Sequence, residues 1–69
     1  MTTGDKMFKN MRAELVRRGM TVKDLAPEVQ MKYPTLARKC SGAKDFTYSE
    51  ITRILDYFGM TFEYLFEKD

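Results

Sequence analysis

The clearest structural signal in this sequence is a helix-start pattern, Thr-Tyr-Ser-Glu at residues 47–50. It is a full capping box, in which the threonine hydroxyl accepts a backbone N–H of the first turn and the glutamate accepts the threonine N–H. Phe46 and Ile51 flank the box as a hydrophobic staple, and Gly59 ends the helix that follows. The predicted core stripe of this helix consists of Ile51, Ile54, Leu55 and Phe58.

Similar signals divide the rest of the chain into short helices. Thr21 and Asp24 form a second capping box, and Gly19 and Gly42 have the positions of C-terminal caps. No segment alternates apolar and polar residues, so we expect no strand. The predicted helices cover residues 5–18, 22–29, 33–41, 48–58 and 62–66. The first is expected to bury Met7, Phe8, Met11, Leu15 and Val16.

Length and residue types exclude several kinds of protein. The 69 residues predict one domain, 1–69, with residues 1–4 as a loose end. Cys40 has no cysteine partner and is predicted to be a small core residue. Since the chain has no histidine, we predict no metal site, no cofactor and no enzymatic activity. Residues 1–6 are polar and no apolar run reaches ~18 residues, so we expect a cytoplasmic protein without membrane contact.

The charged residues are unevenly distributed along the chain. Residues 1–44 contain ten lysines and arginines against four acidic residues, whereas residues 45–69 contain two against six. Residues 32–44 include four basic side chains and no acidic one. A basic segment of this kind is a typical footprint of nucleic-acid binding, although small domains without that function also have lopsided charge.

Residues 21–42 predict two short helices joined by a turn at residues 30–32. The apolar positions that would lock these helices together are Leu25, Ala26, Val29, Met31 and Leu36. The opposite face of the second helix would then point outward, as a helix that enters the major groove of DNA must do. The residues predicted on this face are Tyr33, Pro34, Ala37 and Arg38.

Three motifs in this order resemble the Cro and lambda-repressor type of helix-turn-helix regulator. They are Met-Thr-Val-Lys-Asp-Leu-Ala at 20–26, Thr-Leu-Ala-Arg-Lys at 35–39 and Ser-Gly at 41–42, and the ending at 58–66 is also similar. The resemblance covers residues 7–66 and implies an all-α, compact five-helix lambda-repressor-like bundle. It further implies a small repressor of phage or prophage type that binds a near-palindromic operator as a homodimer and reads the major groove with residues 33–41.

Three positions depart from the pattern of that family. Gln30 stands where a turn glycine is usual, so it must adopt a positive φ or the turn must differ. Val22 stands where a glutamine often contacts a phosphate. Pro27 deletes a backbone hydrogen bond to Lys23 and should kink or shorten the first helix of the motif.

The candidate DNA contacts follow from the outward face and its flanks. Arg38 is the first choice for a base contact, because a bidentate guanidinium on guanine is the commonest specific contact. The other candidates for base contacts are Tyr33, Pro34 and Ala37. The candidates for phosphate contacts are Lys32, Thr35, Lys39, Ser41 and Lys44, with Lys44 the first choice and Lys39 the last. For each residue the alternative is an ordinary solvated side chain.

The C-terminal residues are more apolar than one short turn can bury. Tyr57, Phe62 and Phe66 are candidates for a dimer surface, and packing within one chain is an equal alternative. We therefore predict double-stranded DNA and a second copy of the chain as partners, with no small-molecule ligand. The alternative function is a protein-interaction module on the same scaffold, of the antitoxin or antirepressor kind, since fold does not fix function.

Overall fold

The computed structural model describes residues 7–67, and the regular structure of this part of the chain is entirely helical. The five helices are α1 Lys9–Arg17, α2 Val22–Glu28, α3 Tyr33–Cys40, α4 Tyr48–Phe58 and α5 Phe62–Leu65. The prediction of an all-α, five-helix fold is confirmed. Within residues 7–67, no helix combines the length and apolar character that crossing a membrane requires.

Threonine hydroxyls begin α2, α4 and α5. Thr21, Thr47 and Thr61 each accept the backbone N–H of the residue three positions later, at 3.2 Å. Two carboxylates complete the capping boxes: Asp24 accepts the Thr21 N–H at 3.0 Å and Glu50 accepts the Thr47 N–H at 2.8 Å. Both predicted capping boxes are confirmed, and they explain why the starts of these helices are where the sequence predicts them.

The start of α1 and the burial of Val16 were predicted wrongly. Residues 5 and 6 lie outside the described residues, but Met7 and Phe8 are not helical, and α1 begins only at Lys9. Phe8 provides no side-chain cap, and its ring packs edge-on against Phe66 with centroids 5.2 Å apart. Val16 is 68% exposed, because each residue turns by ~100° around a helix and carries it off the stripe of Met11 and Leu15.

A carboxylate, Glu14, takes the third inward position of α1. The side chain is buried, with Oε1 2.8 Å from a guanidinium nitrogen of Arg18 and Oε2 3.3 Å from one of Arg17. Tyr64 of α5 donates its hydroxyl to Oε2 at 3.0 Å. The hydrogen bond from Arg18 is the main cause that holds the pKa of Glu14 below its usual value, against the opposing effect of burial. This network ties α5 to α1.

We expect Glu14→Gln to destabilise the protein at neutral pH, by an amount that shrinks on acidification. A carboxylate with a lowered pKa stabilises the fold above its unfolded-state pKa, and this contribution is lost as the pH falls through the folded-state value. Urea unfolding of both proteins at pH 7, 5 and 3 measures the difference. Glu63→Gln, which neutralises an exposed carboxylate of α5, is the control. If the free energies of unfolding of wild type and Glu14→Gln change in parallel with pH, the Glu14 carboxylate does not stabilise the fold as described.

The turn between α2 and α3 ends α2 in a Schellman motif. The Met31 N–H donates to the Ala26 carbonyl at 2.9 Å, and the Gln30 N–H donates to the Pro27 carbonyl at 3.3 Å. Gln30 has φ = 59°, so of the two alternatives, a positive φ or a different turn, the first is found. α2 ends at Glu28, directly after Pro27.

Gln30→Gly is expected to stabilise the fold by about 0.5–1 kcal/mol. The left-handed conformation costs a residue with a Cβ atom ~1–2 kcal/mol, and the greater freedom of glycine in the unfolded chain cancels part of that gain. Equilibrium unfolding in urea measures the change. Gln30→Ala keeps the Cβ atom and should show no such gain, so equal stabilities of the two variants would refute the explanation.

Candidate nucleic-acid interface

α3 is held mainly by α2. The facing side chains Leu25, Ala26, Val29 and Leu36 are all buried, and Met31 packs against them from the turn. Arg53 of α4 stabilises the end of α2, because its Nε donates to the Val29 carbonyl at 2.8 Å. The predicted locking residues thus lie where expected, and one face of α3 is left outside the core.

The outward face of α3 consists of Tyr33, Pro34 and Arg38, which are all exposed. Tyr33 keeps 46% of its surface accessible although it is aromatic. Ala37 differs from the prediction, because it is half-buried and does not protrude with the other three residues. Its methyl group lies in the wall of a cleft beside the helix.

This cleft, of about 330 Å³, separates the start of α2 from α3. Its lining consists of Met7, Thr21, Val22, Lys23, Tyr33, Ala37, Cys40 and Ser41. Val22 contributes an apolar wall to the cleft. The cleft therefore runs along one side of α3, from Tyr33 at its start to Ser41 after its end.

Cys40 lies on the inner side of α3. It is buried, and its Sγ lies 3.9 Å from the Sδ of Met11. Burial raises the pKa of the thiol to about 12. The prediction of a small core residue is confirmed.

The candidate phosphate contacts separate into two groups. Lys32, Thr35 and Lys44 are exposed. Ser41 is half-buried, and its hydroxyl donates to the Arg38 carbonyl at 2.9 Å. Lys39 differs from the other candidates, because its side chain is only 11% exposed and its ammonium lies against Glu50 of α4. Lys39 follows Leu36 by three positions, which places it on the inner face of the helix.

Lys44 stands in the loop that joins α3 to α4. The loop begins with a second Schellman motif, in which the Ala43 N–H donates to the Arg38 carbonyl at 2.9 Å and the Gly42 N–H to the Lys39 carbonyl at 3.2 Å. Gly42 has φ = 88°, which glycine adopts without a Cβ clash. These bonds lead the chain away from α3 and leave Lys44 in solvent.

The three candidate dimer residues are in different environments. The Tyr57 hydroxyl donates to the Met20 sulfur at 3.2 Å. Phe66 packs edge-on against Phe8 and Phe46, with centroids 5.2 and 5.3 Å away. Phe62 stacks on Phe66 at 5.0 Å but remains 47% exposed. Tyr57 and Phe66 thus take part in packing within the chain, and Phe62 offers the most surface to a partner.

A family model of the Cro/C1-type helix-turn-helix DNA-binding domain matches residues 10–68. The match extends from the first turn of α1 past the end of α5. This chain belongs to that family. No match was found among curated proteins or among solved structures.

Membership of the Cro/C1-type family makes DNA the partner of this domain. In helix-turn-helix domains the second helix of the motif lies in the major groove, and here α3 has that position. The exposed basic residues on α3 and in the turns on either side of it are Lys32, Arg38 and Lys44. Sequence reasoning located all three, and it missed the inward contacts of Lys39 and Arg53, whose acceptors lie on other helices.

Proposed function

We propose that this domain is a sequence-specific transcriptional regulator that represses by occupying promoter DNA and excluding polymerase. The observation that carries the proposal is the exposed face of α3, whose Tyr33, Pro34 and Arg38 project beside the buried contact with α2. A rigidly held helix with a guanidinium on its outer face suits the major groove, where arginine recognises guanine through O6 and N7. The cytoplasmic location and the absence of catalysis belong to the same proposal.

The proposed contacts divide into reading and positioning contacts. Arg38 reads a base, with Tyr33 and Pro34 beside it, and Ala37 contributes only where a thymine methyl enters the cleft. Lys32, Thr35 and Lys44 contact phosphates, which fix the register of the protein without reading sequence. The outward face carries no asparagine or glutamine, so part of the specificity comes from the shape of the DNA.

We further propose that two copies bind one operator. Phe62 is an exposed aromatic side chain next to the partly exposed Phe66, and apolar surface of this kind favours a symmetric contact between copies. A two-fold symmetric dimer requires an operator with two inverted half-sites.

Selection from a random duplex library at near-physiological salt tests the proposal. The expected result is an inverted repeat with half-sites about one helical turn apart. Failure of the folded protein to enrich any duplex would reject sequence-specific binding. It would favour the alternative of a protein-interaction module, whose partner would be sought at the exposed Phe62.

Lys44→Ala is expected to weaken binding to all duplexes alike and to lower the slope of log affinity against log salt by about one unit. The physical reason is that one fewer phosphate is neutralised and one fewer counterion is released. Titrations at four salt concentrations measure the slope. Lys9→Ala is the matched control, because it removes the same charge from α1, where the ammonium pairs with Glu67 at 3.2 Å. Equal slopes for Lys44→Ala and wild type would show that Lys44 does not contact a phosphate.

A further inference from the structure

A largely buried ion pair joins the end of α3 to the start of α4. The Lys39 ammonium lies 2.5 Å from Oε1 of Glu50, and the two side chains are only 11% and 14% exposed. The same oxygen accepts the Thr47 N–H at 2.8 Å. One carboxylate oxygen therefore both caps α4 and holds the last turn of α3.

The pair connects the two ends of the loop that carries Lys44. At the α3 end, Ala43 is bonded to the Arg38 carbonyl, and at the α4 end the capping box fixes Thr47. Phe46 anchors the same end, with its ring centroid 5.3 Å from that of Phe66. α3 packs mainly against α2, so few other contacts hold it to α4. The ion pair therefore fixes α3 relative to the α4 end of the loop.

A gain in folding stability alone is a poor explanation for the Lys39–Glu50 ion pair. The cost of desolvating two charges offsets much of their attraction, and apolar replacement of a buried pair is often neutral or stabilising. Burial opposes the charge on Glu50, and hydrogen bonds from Lys39 and Thr47 outweigh it, so the pKa of Glu50 lies below its usual value. The Glu50 carboxylate is therefore charged at neutral pH. A short ion pair fixes the distance between the two helices that carry it, whereas apolar side chains would let the helices slide against each other.

We propose that Lys39 and Glu50 are positioning residues for DNA binding, which set the distance between the outward face of α3 and Lys44. The inference rests on the proposed function and deepens it. Phosphate contacts fix the register of a protein on the duplex, and base contacts read sequence only in that register. With the pair in place, Lys44 can meet the backbone while Arg38 meets its base.

Removing the charge of Glu50 separates positioning from general electrostatic attraction. Glu50→Gln retains a residue that completes capping boxes and raises the net charge by one. Attraction to phosphate alone predicts equal or tighter binding to every duplex. Positioning predicts that affinity for the selected duplex, relative to a random duplex, falls roughly three- to tenfold. Asp56→Asn makes the same charge change at an exposed site of α4 and should leave this ratio unchanged.

The double variant Lys39→Met/Glu50→Gln removes the pair without changing the net charge. Circular dichroism and thermal unfolding confirm that it is folded before binding is measured. We expect the same fall in the affinity ratio, and Lys44→Ala should cost less in this background than in wild type. A merely structural role of the pair would not change the effect of Lys44→Ala. An unchanged ratio, with equal costs of Lys44→Ala in both backgrounds, would overturn the inference.

Amide exchange in the DNA-free protein gives an independent result. The Ala43 amide, bonded to the Arg38 carbonyl, should exchange faster in the double variant because the loop ends are released. Unchanged protection would overturn the inference even where DNA selection succeeds. A wild-type protein that selects no duplex would instead overturn the proposed function, and this outcome is distinct because it needs no variant.

Discussion

Leu36→Ala is expected to lower the free energy of unfolding by about 2–5 kcal/mol, which removes most of the stability of the domain. Leu36 has no exposed surface and lies at the contact of α3 with α2. Truncation removes apolar contact area and leaves a cavity that short, capped helices cannot close. A domain of this size has only about 3–5 kcal/mol of net stability from its core, so one such cavity consumes most of it.

Urea unfolding followed by circular dichroism measures this loss. Val16→Ala is the matched control, because it also truncates an aliphatic helical residue, but one that is 68% exposed. We expect its effect to stay within about 0.5 kcal/mol of wild type. A loss below about 1 kcal/mol for Leu36→Ala would mean that α3 is not held by the core as described.

Arg38→Ala is expected to reduce affinity for the selected operator by about 1–3 kcal/mol, or roughly five- to 150-fold. The preference for one base pair in each half-site should relax at the same time, because a bidentate guanidinium contact discriminates among bases. The fold should be preserved, since Arg38 is exposed. Titrations with the selected operator and with each single-base variant of its half-site provide the measurement.

Arg38→Lys separates base reading from charge. Lysine keeps the positive charge but lacks the planar fork of the guanidinium, so the salt dependence should remain while the base preference weakens. If Arg38→Ala lowers affinity for every duplex equally, Arg38 is a phosphate contact. If neither variant changes binding, the outward face of α3 is not the reading surface.

The helix starts could be predicted because they depend on neighbouring residues. The capping boxes at Thr21 and Thr47 close within three positions, so the local sequence determines them. The beginning of α1 has no side-chain cap, and its prediction was wrong. There, Phe8 packs against the distant rings of Phe46 and Phe66 and does not cap the helix.

The buried charges could not be predicted from local patterns. Arg17 and Arg18 are local partners of Glu14, but Tyr64, which ties this buried carboxylate to α5, is 50 positions away. Lys39 looks like one more cation in a basic segment, and only the position of α4 shows that its partner is Glu50. Of the candidate site, the exposed Tyr33, Pro34, Arg38 and Lys44 followed from helical periodicity and turn signals.

The buried thiol of Cys40 gives the domain an internal reporter. Thiolate is the reactive form of cysteine, and a side chain that is buried with a pKa of about 12 reacts slowly while the fold is closed. Modification of Cys40 by a thiol reagent should therefore become faster when α3 leaves the core more often. Since the chain has one cysteine, the labelling rate of the natural sequence measures this opening directly, with and without DNA.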